Sequence, residues 1–512
     1  MSYTCALSLK KIKDYLAGAA VVGFDFETSP IEEYRSEERA ALDAHKAAIT
    51  GVSLSVSEDS GIYIPLRHRA GRNIQKPEAV MDYLRQAVFE NATVIKVAHN
   101  LAFESMFLYA LGVIVQPPCY DTIAAAQLTL KSSTTFRGLS DSGLKTLVPQ
   151  LFHVELPDFE TVTAGRFFDE LDPQDKETVR YACADSDYAL RLYHLFNGWF
   201  DQYLPRHRRI VEQIESPTSV YCGLMRYNGL LMDRAAMEAK QAEAEERISA
   251  IREEIAFLIG DVEIGANAST SAFKSYLYKD LGLPVVKTTA KYQEAADDET
   301  MILLAAWCRE NRPELTRLFE LVQEYRRWGK IKGTYLDGYL RHINSATGRI
   351  HPDLMPLGTE TGRFAARNPN LQNMPRKGSD PIGIRNMLVA PEGYQVMELD
   401  YSQIELRVGA FYCRDARMLE TYRGGGDIHA QTTSVIYNIP IEQAADKSAA
   451  EYKDRRAIAK GCNFGCFYGL FPKGLQRTLN SKLASIPRWR NVRKYRQPQK
   501  PVIHSSPLAG GK

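Results

Sequence analysis

Apolar and polar positions follow two regimes along this chain. Residues 19–28, AAVVGFDFET, form a small and β-branched run that ends in two acids, the pattern of a buried strand. ITGVSLSVS at 49–57, YIPL at 63–66 and TVIKVAHN at 93–100 predict further strands, and helical spacing predicts helices near 102–111, 121–130 and 174–196. Strands first, with helices interleaved afterwards, predict an α/β domain over residues 1–205. From 206 to 345 the pattern turns to long helices: Ile248, Ile251, Ile255 and Leu258 recur at three- and four-residue spacing, as do Leu315, Leu318, Phe319 and Val322. The polar stretch 287–300, KTTAKYQEAADDET, reads as a surface loop. Mixed character returns at 346–410, with a strand expected over YQVMELDYSQ at 394–403 running into a helix that begins near Ile404. Residues 427–480 are mainly helical in pattern, and no internal repeat is visible.

At 512 residues with 45% hydrophobic positions, the chain can fill several cores. No apolar run reaches the roughly 18 residues of a membrane span, and the N-terminus lacks a signal-peptide pattern, so a cytoplasmic protein of a bacterial cell or phage-infected host is expected. The eight cysteines are scattered without C-x-x-C spacing, which favours reduced, packing cysteines over a zinc site. The net charge of +2 is uneven. Residues 481–512 hold eight Lys or Arg and no acid, leaving 56 cations against 62 anions elsewhere. This basic tail reads as a disordered peptide, or as a non-specific contact to phosphates. Arg326, Arg327, Lys330 and Lys332 fit either a phosphate-facing surface or a solvated helix face.

The chemistry gathers in acids. Asp25 and Glu27 lie two apart on the first strand and therefore share a face, so both carboxylates can point at one cation. Taken alone, D-x-E is equally an exposed strand end. Glu104 in AHNLAFE and Asp185 in YACADSD extend the set, and Tyr181 falls one helical turn before Asp185. Asp121 and Asp187 are secondary candidates that also fit capping or surface roles.

This ordered set resembles the 3′-to-5′ proofreading exonuclease of the DNA polymerase I (family A) polymerases and its DEDD-type, RNase H-like relatives. The resemblance implies that Asp25, Glu27, Glu104 and Asp185 hold two Mg²⁺ or Mn²⁺ ions, with Tyr181 positioning the attacking water. Two hard cations about 3.5–4 Å apart suit a phosphodiester, and hard cations select carboxylate oxygens. Glu104 stands where bacterial members have Asp; one extra methylene still leaves a competent ligand, or else a repacked, inactive site.

Residues 358–409, including TETGRFAARNPNLQNMP and MELDYSQIELRVG, closely resemble the palm of the same family. The match implies that Asp400 binds the polymerase metals, assisted by the main-chain carbonyl of Tyr401, and that Gln403 belongs to the nucleotide site. It also implies that Glu405 crowds the sugar C2′, and that Arg363, Gln372 and Asn373 contact primer and template. RRAIAKGCNFGCFYG at 455–469 resembles the nucleotide-binding fingers helix. Arg456, Lys460, Phe464 and Tyr468 recur every four residues as one stripe, cations for a triphosphate and aromatics for base and sugar, and His429 matches a further phosphate contact.

The fold expected is an α/β exonuclease domain (1–205), a helical thumb (206–345), a partial α+β palm (346–426) and partial helical fingers (427–480). Past Asn480 the resemblance ends, and the His-Asp-Glu turn that supplies the second palm carboxylate in this family is not found. Polymerisation is therefore expected to be impaired while the exonuclease persists. The expected partners are DNA primer-template, single-stranded 3′ ends and dNTPs, together with a second chain carrying the missing palm in the alternative reading of a split polymerase.

Overall fold

The structure, a computed structural model, describes residues 2–132, 141–359, 361–375, 380–469 and 474. The contacts gather in two compact units: one joins the N-terminal stretch up to Glu243 with Ile331–Gln395, and the other joins Ala244–Lys330 with the described residues from Val396 onward. These units cut the chain differently from the four-way division read from the sequence. The basic tail, and the end of the expected fingers, lie outside the described residues.

The first unit is built on a six-stranded sheet. Its strands are β1 (Ser2–Cys5), β2 (Val21–Pro30), β3 (Ala47–Ser55), β4 (Ser60–Pro65), β5 (Ile95–Ala98) and β6 (Cys119–Asp121), in the order β1-β4-β3-β2-β5-β6. β2 is central, antiparallel to β3 and parallel to β5. Helices α1 (Leu9–Leu16), α2 (Pro77–Leu84), α3 (Leu101–Ala110), α4 (Thr122–Ser132), α5 (Leu144–Phe152), α6 (Phe159–Thr163), α7 (Lys176–Tyr203), α8 (Pro205–Ile210) and α9 (Ser216–Asn228) follow or interleave. The strands and helices expected in this region are therefore formed, with bounds shifted by a few residues, and β1, α1 and β6 add to them.

The alternation along β2 decides its two faces. Val22, Phe24 and Phe26 enter the main core, where Phe24 and Phe26 meet the ring of Phe89 with centroids 5.2 and 5.9 Å away. Gly23, Asp25 and Glu27 take the opposite face. There α7 comes so close that a Cβ on Gly23 would stand 2.4 Å from the carbonyl oxygen of Ser186. Glycine at 23 is what allows this approach. The ladder to β3 is in register up to Glu27–Gly51 and then slips by one, passing over Thr50 of β3 opposite the Glu27–Thr28 step, before pairing resumes at Thr28–Ile49.

In the second unit α12 (Asp298–Asn311) and α13 (Thr316–Lys330) pack with the last part of α10 (Arg234–Ile259) and α11 (Ser271–Ser275) around Ile251, Ile255, Phe273, Leu304, Phe319 and Val322. The expected loop over 287–300 holds only up to Asp297, whose carboxylate caps α12 by accepting the Thr300 N–H. Arg326 is corrected from a surface cation: its guanidinium donates to the carbonyls of Asn267 and Ala268 at 2.8 Å and pairs with Asp298 at 3.0 Å, sewing the loop to α13. Further along come α14 (Asp337–Arg341, in the first unit), α15 (Ile404–Cys413), α16 (Ala416–Arg423), α17 (Ile428–Tyr437), α18 (Ile441–Ala445) and α19 (Tyr452–Phe467).

The strand expected over 394–403 is not formed. Val396, Met397 and Leu399 are 59, 79 and 85% exposed on irregular backbone, and only the helix from Ile404 follows the sequence pattern. A strand is held by the N–H and C=O groups of a neighbour, and none of the described strands pairs with this stretch, so its apolar alternation has no sheet to join.

Gly23→Ala is expected to lower stability by about 1–3 kcal/mol, because α7 must move off β2 to admit the methyl group. The denaturation midpoint of the variant measures this; an unchanged midpoint would show that the two elements tolerate a wider gap.

Candidate functional site

Three elements carry the acids of the first unit. β2 presents Asp25 and Glu27, α3 presents Glu104, and α7 presents Tyr181 and Asp185 one turn apart. Each element is pinned. Asp175 caps α7 by accepting the N–H groups of Glu177 and Thr178. Asp121 holds the entry to α3 and α4, its carboxylate accepting the N–H of Asn100 at 3.2 Å and of Ile123 at 3.0 Å. On the far side of α3, Gly223 of α9 lies so close that a Cβ there would stand 2.3 Å from the Ala102 carbonyl oxygen.

The four carboxylates share one environment. Glu27 and Glu104 are 7 and 2% exposed, whereas Asp25 and Asp185 are half-buried. Burial is the first cause that raises all four above their ordinary range. Asp185 and Asp25 raise their neighbours further by like-charge repulsion, and Glu27 adds to the effect on Glu104. Glu104 accepts the backbone N–H of Phe26, which ties α3 to β2 and lowers its value slightly against that trend. Oε1 of Glu27 and Oε2 of Glu104 are buried without a hydrogen-bond partner. An orphaned carboxylate oxygen is costly unless a cation reaches it, so the donor set fits hard divalent cations. Among the described residues, no three such side chains already surround a single point at ligand distances.

One residue absent from the sequence reading joins the site. Lys145 of α5 donates to Oδ1 of Asp185 at 2.7 Å, and its ammonium lies 4.8 Å from the centroid of the Tyr181 ring. Tyr181 is itself wedged against Phe168, with centroids 5.7 Å apart. Burial, followed by the charges of Glu27, Asp185 and Asp25, raises its hydroxyl well above the usual phenol value. A lone lysine eight residues before His153 carries no motif, which is why pattern reading passed over it.

The secondary acids resolve differently. Asp121 is a cap. Asp187 is fully buried, accepting the Tyr3 hydroxyl at 2.7 Å and two N–H groups of Arg191, so it is a structural ion pair rather than a surface acid. A cavity of about 280 Å³ in the same unit contains none of the four acids, and pairs such as Arg226–Asp353, 2.9 Å apart, close its walls.

In the second unit the structure brings Gln403, His429, Arg456 and Phe464 together around Asp427. This acid accepts the His429 N–H at 2.9 Å and Gln403 Nε2 at 3.2 Å, and pairs with Arg456. Burial raises its carboxyl, but Arg456 together with the His429 N–H and charge holds it below the ordinary carboxylate value. His429 is pushed down to about 4 by burial and by the Arg456 and Lys460 charges, against the pull of Asp427. Asn463 donates to His429 Nδ1 at 2.9 Å, and the Phe464 and Tyr468 rings stack at 6.4 Å. Asp427 and Asn463 were not among the sequence candidates. Lys460, Asp400 and Tyr401 stand exposed, and Glu405 opens α15 half-buried. In the first unit Arg363, Gln372 and Asn373 are exposed.

A central mixed sheet whose middle strand and flanking helices bring four acids and a tyrosine together defines a nuclease-type domain, and a helical cluster of cations and aromatics follows it in the chain. Residues 2–198 match the 3′-5′ exonuclease family and residues 234–489 match DNA polymerase family A, so the chain belongs to the family A DNA polymerases and carries a 3′-5′ exonuclease domain. It is 29% identical to DNA polymerase I of Pseudomonas aeruginosa over 92% of this chain and 48% of that protein. It is 33% identical to the thermostable DNA polymerase I of Thermus aquaticus over 53% of this chain and 30% of that one. The chain thus spans about half the length of the curated relatives it matches. The fold also matches a solved structure of the POL domain of Pol1 from M. smegmatis in complex with DNA primer-template and dNTP. The TM-score is 0.73 and the identity 22%, covering 94% of this chain and 74% of that one. No described helix is long and apolar enough to cross a membrane.

A pH dependence follows from the raised carboxyls. Each binds its proton more tightly in the folded chain than in the unfolded one, so it favours the folded form at acid pH; that contribution is lost as pH rises above the ordinary carboxylate values of 3.8 and 4.5. In chelator, wild-type protein is expected to lose stability relative to Glu104→Gln as pH rises from the ordinary glutamate value of 4.5 through its raised folded-state value, and added Mg²⁺ to narrow the gap. Urea midpoints of both proteins at several pH values check this; parallel curves would show that Glu104 is not strained by its neighbours.

Proposed function

We propose that this chain removes nucleotides from DNA 3′ ends at the Asp25–Glu27–Glu104–Asp185 site, as the proofreading activity of a family A polymerase acting in replication or repair. The single observation that carries this reading is the set of four mutually repelling carboxylates with two orphaned oxygens, beside Tyr181. Asp25, Glu27, Glu104 and Asp185 would hold two Mg²⁺ or Mn²⁺ ions, which when bound supply a nucleophile at neutral pH and neutralise the leaving oxygen. Tyr181 stands beside Asp185 and would orient the incoming water. Attack at phosphorus breaks the bond to the 3′ oxygen of the preceding nucleotide, and a nucleoside 5′-monophosphate leaves. The close packing of β2, α3 and α7 fixes the carboxylates before substrate arrives, so little reorganisation is required.

For the second unit we assign dNTP binding to Gln403, Glu405, His429, Arg456, Lys460, Phe464 and Tyr468. Asp400 and the Tyr401 carbonyl are assigned to the polymerase metals, and Arg363, Gln372 and Asn373 to primer-template. We keep the division into exonuclease, thumb, palm and fingers as the functional one, and the cytoplasm as its setting. One observation favours a second reading, an exonuclease that needs another chain to complete its palm: Asp400 stands on exposed backbone that pairs with no described strand.

With Mg²⁺, labelled primer-template and dNTPs, primer shortening is expected with little extension; robust extension by the chain alone would remove the second reading. Asp25→Ala combined with Glu27→Ala is expected to reduce shortening about a thousandfold or more while DNA binding persists. Retained degradation would sink the nuclease assignment.

A further inference from the structure

Lys145 is bound in a way that distinguishes it from the structural cations of the same unit. Arg191 and Arg35 are each 13% exposed in the side chain and locked by two acids, Asp187 and Asp59 for one, Asp169 and Glu170 for the other. Lys145 is 40% exposed, held at one side by Asp185, itself 16% exposed, and lying over the face of Tyr181. Its ammonium is the cation acting on Asp25, Glu27 and Asp185 alike. It is the partly exposed cation at the edge of the acid cluster, bound to Asp185 and lying over Tyr181.

Charge balance gives this position a use. Four ionised carboxylates are neutralised by two divalent ions, and an incoming phosphodiester then brings one further negative charge with no partner. Lys145 carries the missing positive charge. Divalent cations at these acids neutralise Asp185 and repel the nearby ammonium, so filling the site weakens the Lys145–Asp185 contact and favours a lysine whose flexible stem turns toward an incoming anion.

We propose that Lys145 is a substrate-binding residue of the exonuclease site, parked on Asp185 in the metal-free protein and transferred to a phosphate oxygen of the 3′-terminal nucleotide when the acids take their cations. The inference rests on the exonuclease reading above and adds to it the group that recognises the strand. It makes metal binding a precondition for gripping DNA tightly at this site, because the ammonium is occupied until then.

The test compares wild type, Lys145→Met and Lys145→Arg, using fluorescence anisotropy of a labelled single-stranded thymidine oligonucleotide in EDTA and in Ca²⁺. Mn²⁺ binding is followed by electron paramagnetic resonance, and the kinetics of shortening by KM and kcat. Lys145→Met, which keeps the length of the side chain, is expected to bind the oligonucleotide about tenfold or more weakly in Ca²⁺ and almost as wild type does in EDTA. Its Mn²⁺ binding should be unchanged or tighter, its KM should rise more than its kcat falls, and Lys145→Arg should recover most of the affinity. Joint loss of Mn²⁺ and DNA binding in both variants would mark a scaffold role and overturn the proposal. So would a methionine variant that binds the strand in Ca²⁺ as wild type does. Wild type that shortens no DNA at all would instead remove the exonuclease reading beneath it.

Discussion

Everything in the first unit is arranged around a repulsion. Carboxylates withdrawn from water oppose each other strongly, and left free they would separate or take up protons. Here they cannot separate. Phe24 and Phe26 anchor one face of β2 in the core while the absent side chain of Gly23 lets α7 lie directly against the other, so Asp25 and Asp185 are set by backbone packing. The hydrogen bond from the Phe26 N–H to Glu104 ties α3 to the same strand. Burial and mutual repulsion thus leave this cluster energetically unsatisfied, which is the ground for the proposed cation site.

The second unit solves a milder version of the same problem with one acid. Asp427 serves as a hub: it caps α17 through the His429 N–H, draws in Arg456 from α19 and reaches Gln403 at the head of α15. One carboxylate thereby ties α15, α17 and α19 together, alongside ring contacts such as His429–Phe464 between α17 and α19. His429 is kept neutral near physiological pH by burial between Arg456 and Lys460, so at neutral pH it can offer a hydrogen bond rather than a charge.

Much of this was legible in the chain because strand alternation and helical spacing are local signals. The faces of β2 follow from VVGFDFE alone, and the pairing of Tyr181 with Asp185 follows from their four-residue spacing. What escaped was set by contacts between segments distant in sequence. Lys145 gains meaning only when α5 lies beside α7, Asp427 only when α17 meets α19, and Arg326 only when the 260s loop folds over α13. The segment 394–403 shows the converse. Its alternation is a strand signal, but pairing needs a neighbour that no local pattern can supply.

Asp185 and Asp187 make the distinction between structural and functional charge concrete, since they lie two residues apart on one helix. Asp187 is saturated: the Tyr3 hydroxyl and the Arg191 guanidinium satisfy both oxygens, and nothing is left to bind a ligand. Among the described residues Asp185 pairs with the half-exposed ammonium of Lys145, and its charge acts on Asp25 and Glu27. A fold gains stability by completing such pairs, so a buried acid left incomplete beside more acids is a departure from what stability alone would select. That incompleteness, plainest in the orphaned oxygens of Glu27 and Glu104, rather than the presence of acids as such, separates the acid cluster of β2, α3 and α7 from the capped and paired acids elsewhere in the same unit.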